Sequence, residues 1–179
     1  MANPLIPEKE WAQIQRRIPI VCVDILTLQC TPEPERRIQA VGLILRDTPH
    51  QGQRWCLVGG RIRHNESLGE AITRQMRDTL GPRVTFTVDD DEQPLYVGQY
   101  FPEHRSDFPM DPRKHAIGLT YWLEVGGSPM PREEALLFEW FPPDHLPPRE
   151  RFGFEQDLVV YACLDRLRER FRFAPSSAR

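Results

Sequence analysis

The chain has 179 residues, 40% apolar and 27% charged, with 26 acidic against 23 basic side chains and a formal net charge of −3. That length suits one domain with a single core, and the charge excludes the broad basic field on which nucleic-acid binding rests. No apolar run approaches the roughly 20 residues of a membrane span, and MANPLIPEKEWAQIQRR sets charges and a proline where a signal peptide needs an apolar stretch. A cytoplasmic protein is expected, with neither nucleic acid nor membrane as partner. Cys22, Cys30, Cys56 and Cys163 show no CxxC or CxxH spacing, so they read as buried thiols rather than a disulfide framework or a zinc site.

In chain order, residues 1–17 read as a helical lead, with Ile6, Trp11 and Ile14 at mixed helical spacing and Pro7 in a tolerant first turn. Residues 18–30, IPIVCVDILTLQC, are dense in β-branched and apolar side chains and predict a strand buried over most of its length. Asp24 interrupts it, and an unpaired buried carboxylate costs several kcal/mol, so Asp24 is read as a site residue. After the turn TPEPERR, the segments IQAVGLILRD and RWCLVGGRI predict two further strands. Leu68, Ala71, Ile72, Met76 and Leu80 recur at three- and four-residue intervals, a helix over 66–80 that Gly81 and Pro82 end. RVTFTV, PLYVGQYF, AIGLTYWLEV and ALLFEWF are the remaining strand candidates. The polar, proline-broken EHRSDFPMDPRKH between two of them is the kind of long loop that carries function. A helix over 153–173 and a frayed APSSAR close the chain. The order predicts one α/β domain over 1–179, a sandwich with a mixed sheet, and disfavours a Rossmann fold for want of a βαβ series.

Residues 59–82 carry the most specific pattern. Gly59 and Gly60 let backbone approach a ligand closely, and the helix start that follows favours anions. Gln75, Asp78 and Thr79 share one helix face, on which Asp78 alone is a carboxylate. Gly60, Glu66, Arg74, Met76 and Gly81 stand in register with GX5EX7REUXEEXGU, U being a bulky apolar residue, so the segment resembles the signature of Nudix hydrolases. Gln75, Asp78 and Thr79 replace three glutamates of that signature, and Pro82 its last apolar position. GGRIRHNESLGEAITR, the leading segment, HAIGLTYWLEV and FEW resemble more narrowly the GDP-mannose mannosyl hydrolases, over residues 6–145. The resemblance implies Mg²⁺ or Mn²⁺, a homodimer, and attack by water at the anomeric carbon of a nucleotide sugar.

Carried across position by position, the resemblance places Asp24 near the sugar and Arg46, Arg61 and Arg74 on the diphosphate or the sugar. The family's metal glutamate falls at Thr79, its glutamine-histidine pair near Glu134 and Ala135, and its strand histidine at Tyr100 or Phe101. What remains for a hard cation is the Gly59 carbonyl, Asp78 and Glu134 or Glu133. His104, or else His115, is the candidate base. The catalytic candidates are therefore Asp78, Glu134 and His104, with Asp24, Arg46, Arg61 and Arg74 for substrate. Each has a bland counterpart. Arg74 and Glu66 also suit a structural ion pair, Asp78 suits a solvated helix face, and the tryptophans suit core packing.

Three functions follow. The first is Mg-dependent hydrolysis of a nucleoside diphosphate sugar, GDP-mannose-like, to nucleoside diphosphate and sugar. The second is a degenerate Nudix domain that binds a nucleotide or nucleotide sugar without turnover. The third is a Nudix pyrophosphatase on another nucleoside diphosphate derivative.

Overall fold

The computed structural model describes residues 6–32, 36–89 and 91–173. The turn expected at 31–37 is therefore described only in part, and the frayed end expected at 174–179 lies outside the described residues. Helix α1 (Glu8–Arg17) leads into β1 (Ile20–Cys30), whose apolar run is buried as its composition predicts. β2 (Ile38–Thr48) follows antiparallel, then β3 (Gly52–Cys56) and β4 (Val58–Arg61). The single strand expected from RWCLVGGRI divides at Leu57, because β3 pairs with β2 through Trp55↔Leu45 whereas β4 pairs with β1 through Gly59↔Asp24. The Leu57 N–H leaves the ladder and is taken by the Gln156 side-chain oxygen at 2.9 Å.

Helix α2 (Leu68–Leu80) begins two residues later than the pattern suggests. Ser67 caps it and Glu70 closes the reciprocal capping box, so Glu66 stays in the preceding loop. Gly81, at φ +80, ends it. The strand expected from RVTFTV shrinks to β5 (Val84–Thr85), since its partner β8 (Gly126–Gly127) offers only two residues. β6 (Tyr96–Tyr100) and β7 (Ala116–Glu124) complete the main sheet, β7 lying parallel to β1, and β9 (Leu137–Phe141) pairs with β2. Two 3₁₀ turns, Arg149–Arg151 and Gly153–Glu155, precede α3 (Asp157–Phe173). The last helix thus starts at Asp157 rather than 153, because Phe154 and Glu155 take positive φ.

The main sheet runs β3-β2-β1-β7-β6, with β4 on β1 and β9 on β2. α2 buries Ala71, Ile72 and Met76 toward β1 and β4, and α3 buries Val159, Cys163 and Leu167 on the opposite face by β6. This is the α/β/α sandwich with mixed pairing that the element order predicts. No described helix is long and apolar enough to cross a membrane.

Candidate active site

The divergence of β3 and β4 at Leu57 opens a cleft of about 70 Å³ on the α3 side of the sheet. Asp24 projects into it from β1, only 7% exposed. A Cβ on Gly59 would come within 2.6 Å of Asp24 Oδ1, and one on Gly118 within 2.6 Å of Oδ2. These two glycines make the room for the carboxylate. The Tyr100 hydroxyl donates to Asp24 Oδ2 at 3.2 Å, and Gln156 Nε2 donates to the Tyr100 oxygen at 3.5 Å. Burial pushes the Asp24 carboxyl up from 3.8 to about 6, against the Tyr100 hydrogen bond and the charges of Lys114 and Arg46. Asp24 is therefore a group that ionises just below neutrality, as a general base working near pH 7 requires. Tyr100 is raised well above its ordinary value by burial and by the Asp24 charge, so it stays a donor.

Three cations share the cleft. Arg46, on β2, is held by Glu134 at 2.6 Å, while its Nε is buried with no hydrogen-bond partner among the described residues. Arg113 and Lys114 come from the long loop before β7, aimed by Asp111. This buried carboxylate accepts the Arg113 backbone N–H at 3.1 Å and two guanidinium hydrogen bonds at 2.8 Å, with Lys114 Nζ 3.9 Å away. The Phe154 ring takes both guanidiniums, Arg113 at 4.9 Å and Arg46 at 5.9 Å from its centroid. Burial pushes the Glu134 carboxyl up, and Arg46 pulls it down. The arrangement is a carboxylate facing a cationic wall, the wall balanced by Asp111 and Glu134. Guanidinium forks and an ammonium in a low-dielectric recess suit phosphate oxygens.

The structure gathers Asp24, Arg46 and Glu134 around this cleft, with Gly59 and Gly60 in its lining. It does not bring in the other expected residues. Arg74 is engaged with both Glu66 oxygens, at 2.5 and 2.8 Å, and donates to the Arg61 carbonyl, so the pair ties the loop to α2. Arg61 lies over the Trp11 ring, 4.2 Å from its centroid, in a neighbouring apolar hollow. His104 is 69% exposed beside Glu155, and His115 stacks on Phe101. Asp78 is exposed and does not line the cleft.

The Mg²⁺ implied by the resemblance finds no fitting donor set here. Thr79 is 2% exposed and brings no carboxylate, the Gln75 side chain packs against Gly60, and Glu134 is engaged by Arg46. Among the described residues no three of His, Cys, Asp and Glu stand together as cation ligands.

Asp111, Arg113, Lys114, Phe154 and Gln156 do not stand out in the sequence. The signal for the first three is the loop itself, which reads as functional without ranking its side chains. Gln156 and Phe154 give none, since their roles depend on the turn at Gly153–Glu155. Three of the four cysteines are buried as expected, and burial raises Cys22 to about 11 and Cys56 and Cys163 to about 12, keeping each as a thiol, whereas Cys30 is only half-buried.

A family model described as "Domain of unknown function (DUF4916)" matches residues 2–157. None of the curated proteins matches the chain in sequence. Solved structures do match in fold. A crystal structure described as that of a possible asymmetric diadenosine tetraphosphate hydrolase from Jonesia denitrificans is 28% identical, with 84% of this chain and 95% of that one covered at TM-score 0.76. A MutT/nudix family protein from Enterococcus faecalis is 16% identical over 97% and 79%, at TM-score 0.66. An ADP-ribose pyrophosphatase from Streptococcus suis is 17% identical over 84% and 93%, at TM-score 0.53. The last two likenesses show the fold alone. The neighbours are Nudix hydrolases, which supports the expectation of a Nudix-type hydrolase.

Proposed function

We propose that this chain, which belongs to the DUF4916 family, is a Nudix-type hydrolase that cleaves a nucleoside diphosphate derivative in the Asp24 cleft. A nucleoside diphosphate sugar of the GDP-mannose kind is the substrate in this reading. The observation that carries it is a buried carboxylate with a pKa of about 6 facing Arg46, Arg113 and Lys114. The coarser reading, hydrolysis of some nucleoside diphosphate derivative, has the support of the Nudix neighbours. The sugar and the carbon-centred attack rest on the resemblance in residues 6–145.

In the proposed step the diphosphate lies on Arg46, Arg113 and Lys114, displacing Glu134 and Asp111 from part of their contacts. Ionised Asp24 takes a proton from a water molecule, whose oxygen attacks the anomeric carbon. The bond from that carbon to the β-phosphate oxygen breaks, and its electron pair leaves on the nucleoside diphosphate. The cations stabilise that developing charge where water is excluded. Tyr100 keeps the Asp24 carboxylate oriented. Binding without turnover is favoured by one observation, the lack of the glutamates at Gln75 and Thr79. A homodimer belongs to the same proposal, burying Ile18 and Val21, which are 55% and 43% exposed beside the Trp11 hollow.

The test is incubation with GDP-mannose, GDP-glucose and ADP-ribose, with Mg²⁺ and with EDTA, following sugar, diphosphate and monophosphate. Nucleoside diphosphate plus free sugar is the expected product. Nucleoside monophosphate would overturn the carbon-centred reading, and saturable binding with no product would leave the binding module.

A further inference from the structure

Arg113 and Lys114 line a second space as well as the cleft. It is a groove of about 390 Å³ between the end of α1 and the loop that follows β6, and Arg16, Arg17, Gln15 and His115 are among its walls. None of the ten residues that line it is acidic, although carboxylates outnumber Lys and Arg by 26 to 23 in the whole chain. Arg16 and Arg17 are exposed and make no ion pair among the described residues. His115 Nε2, at the same place, is buried and lacks a hydrogen-bond partner among the described residues. Two arginines in a last helical turn ordinarily do no more than complement the helix dipole. That accounts for neither the absence of carboxylates across the groove nor the orphaned ring nitrogen. Nor does it account for the two cations that open onto cleft and groove alike.

We infer that the groove is a second anion subsite, which holds a phosphate of the substrate beyond the diphosphate in the cleft. Arg113 and Lys114 form the shared wall across which the phosphate chain passes, and Arg16, Arg17 and His115 receive its far end. This rests on the reading that the cleft itself holds a diphosphate. The favoured substrates are then nucleoside diphosphate derivatives that carry an additional phosphate on the groove side of the cleft.

The experiment is calorimetric titration of the full chain in EDTA with inorganic pyrophosphate, tripolyphosphate and tetrapolyphosphate. Three proteins are compared, the wild type, the double variant Arg16→Ala/Arg17→Ala, and the charge-matched control Arg83→Ala/Arg151→Ala, whose residues are exposed and outside the groove. The wild type should gain about tenfold in affinity from two phosphates to four, as charge-assisted hydrogen bonds of this kind allow. The double variant should lose that gain while binding pyrophosphate within about twofold of wild type, and the control should keep it. A double variant that retains the gain, or a control that loses it equally, overturns the groove while leaving the cleft intact. Failure of the wild type to bind pyrophosphate at all overturns the cleft reading, and the groove with it.

Discussion

Asp24→Asn should make the protein more stable at neutral pH and much less stabilised in acid. Burial lifts the Asp24 carboxyl from 3.8 to about 6, and every tenfold gain in proton affinity corresponds to about 1.4 kcal/mol. Because the folded-state value lies above the unfolded one, the folded chain holds the proton more tightly between these values. Stability therefore falls as pH rises through that window, and the cost is complete above it, at about 3 kcal/mol as an upper figure. Below the unfolded value the cost vanishes. An asparagine has no charge to desolvate, fits between Gly59 and Gly118, and can still accept from Tyr100. Urea unfolding of wild type and variant at pH 4 and pH 8 measures the difference. At pH 8 the variant should lead by up to about 3 kcal/mol, or roughly 6–12 °C in Tm for a chain of this size, and the lead should shrink toward zero at pH 4. Equal effects at both pH values, or a variant less stable at pH 8, would refute the idea that a charge is held at a cost in this cleft.

Other residues give further tests. Gly118→Ala would press a methyl against Asp24 Oδ2 and the Tyr100 ring, and should cost about 1–3 kcal/mol together with most turnover, as chemical denaturation and steady-state rates would show; near wild-type values in both would remove the glycine cradle. Arg74→Ala leaves a partly buried Glu66 without its guanidinium partner, the Arg63 N–H remaining, and should cost about 1–3 kcal/mol. Arg74 holds the Glu66 carboxyl below its ordinary 4.5, so the stability from this pair is present above that pH and lost as pH falls through the lowered value; a variant whose deficit persists unchanged into acid would contradict it. Glu134→Gln frees Arg46 from its carboxylate partner and should tighten pyrophosphate binding by about tenfold, a titration in which weaker binding would refute the proposed exchange of partners. Metal removal should leave that binding unchanged, and its abolition by EDTA would show that a cation is required where no fitting ligand set was found.

How far the sequence reaches is set by what is local. The β-branched run of β1, the apolar stripe of α2 and the register of Gly60, Glu66, Arg74 and Gly81 are local, and they lead to the right fold. Asp24 is legible because a carboxylate inside an apolar strand demands a partner. Arg74 and Glu66 are legible only as two alternatives, and the structure shows the ion pair. Lys114 and Arg113 are hidden for a different reason: they face Asp24 only because β3 and β4 part at Leu57 and Asp111 folds the loop back. Phe154 needs a positive φ inside the Gly153–Glu155 turn, which no periodicity announces. Asp78 draws notice as the last carboxylate on its helix face, yet while Thr79 is buried and Gln75 packs on Gly60, Asp78 itself turns to solvent and does not line the cleft.

The central claim is that catalysis belongs to the Asp24 cleft and not to the remaining acidic position of the helix. Steady-state kcat/KM for GDP-mannose, measured side by side for Asp24→Asn and Asp78→Asn, tests it. A site centred on Asp24 predicts a loss of about 10²–10⁴-fold for Asp24→Asn, the usual cost of removing a general base, with Asp78→Asn at the wild-type rate. Loss of activity in Asp78→Asn with activity retained in Asp24→Asn would contradict it.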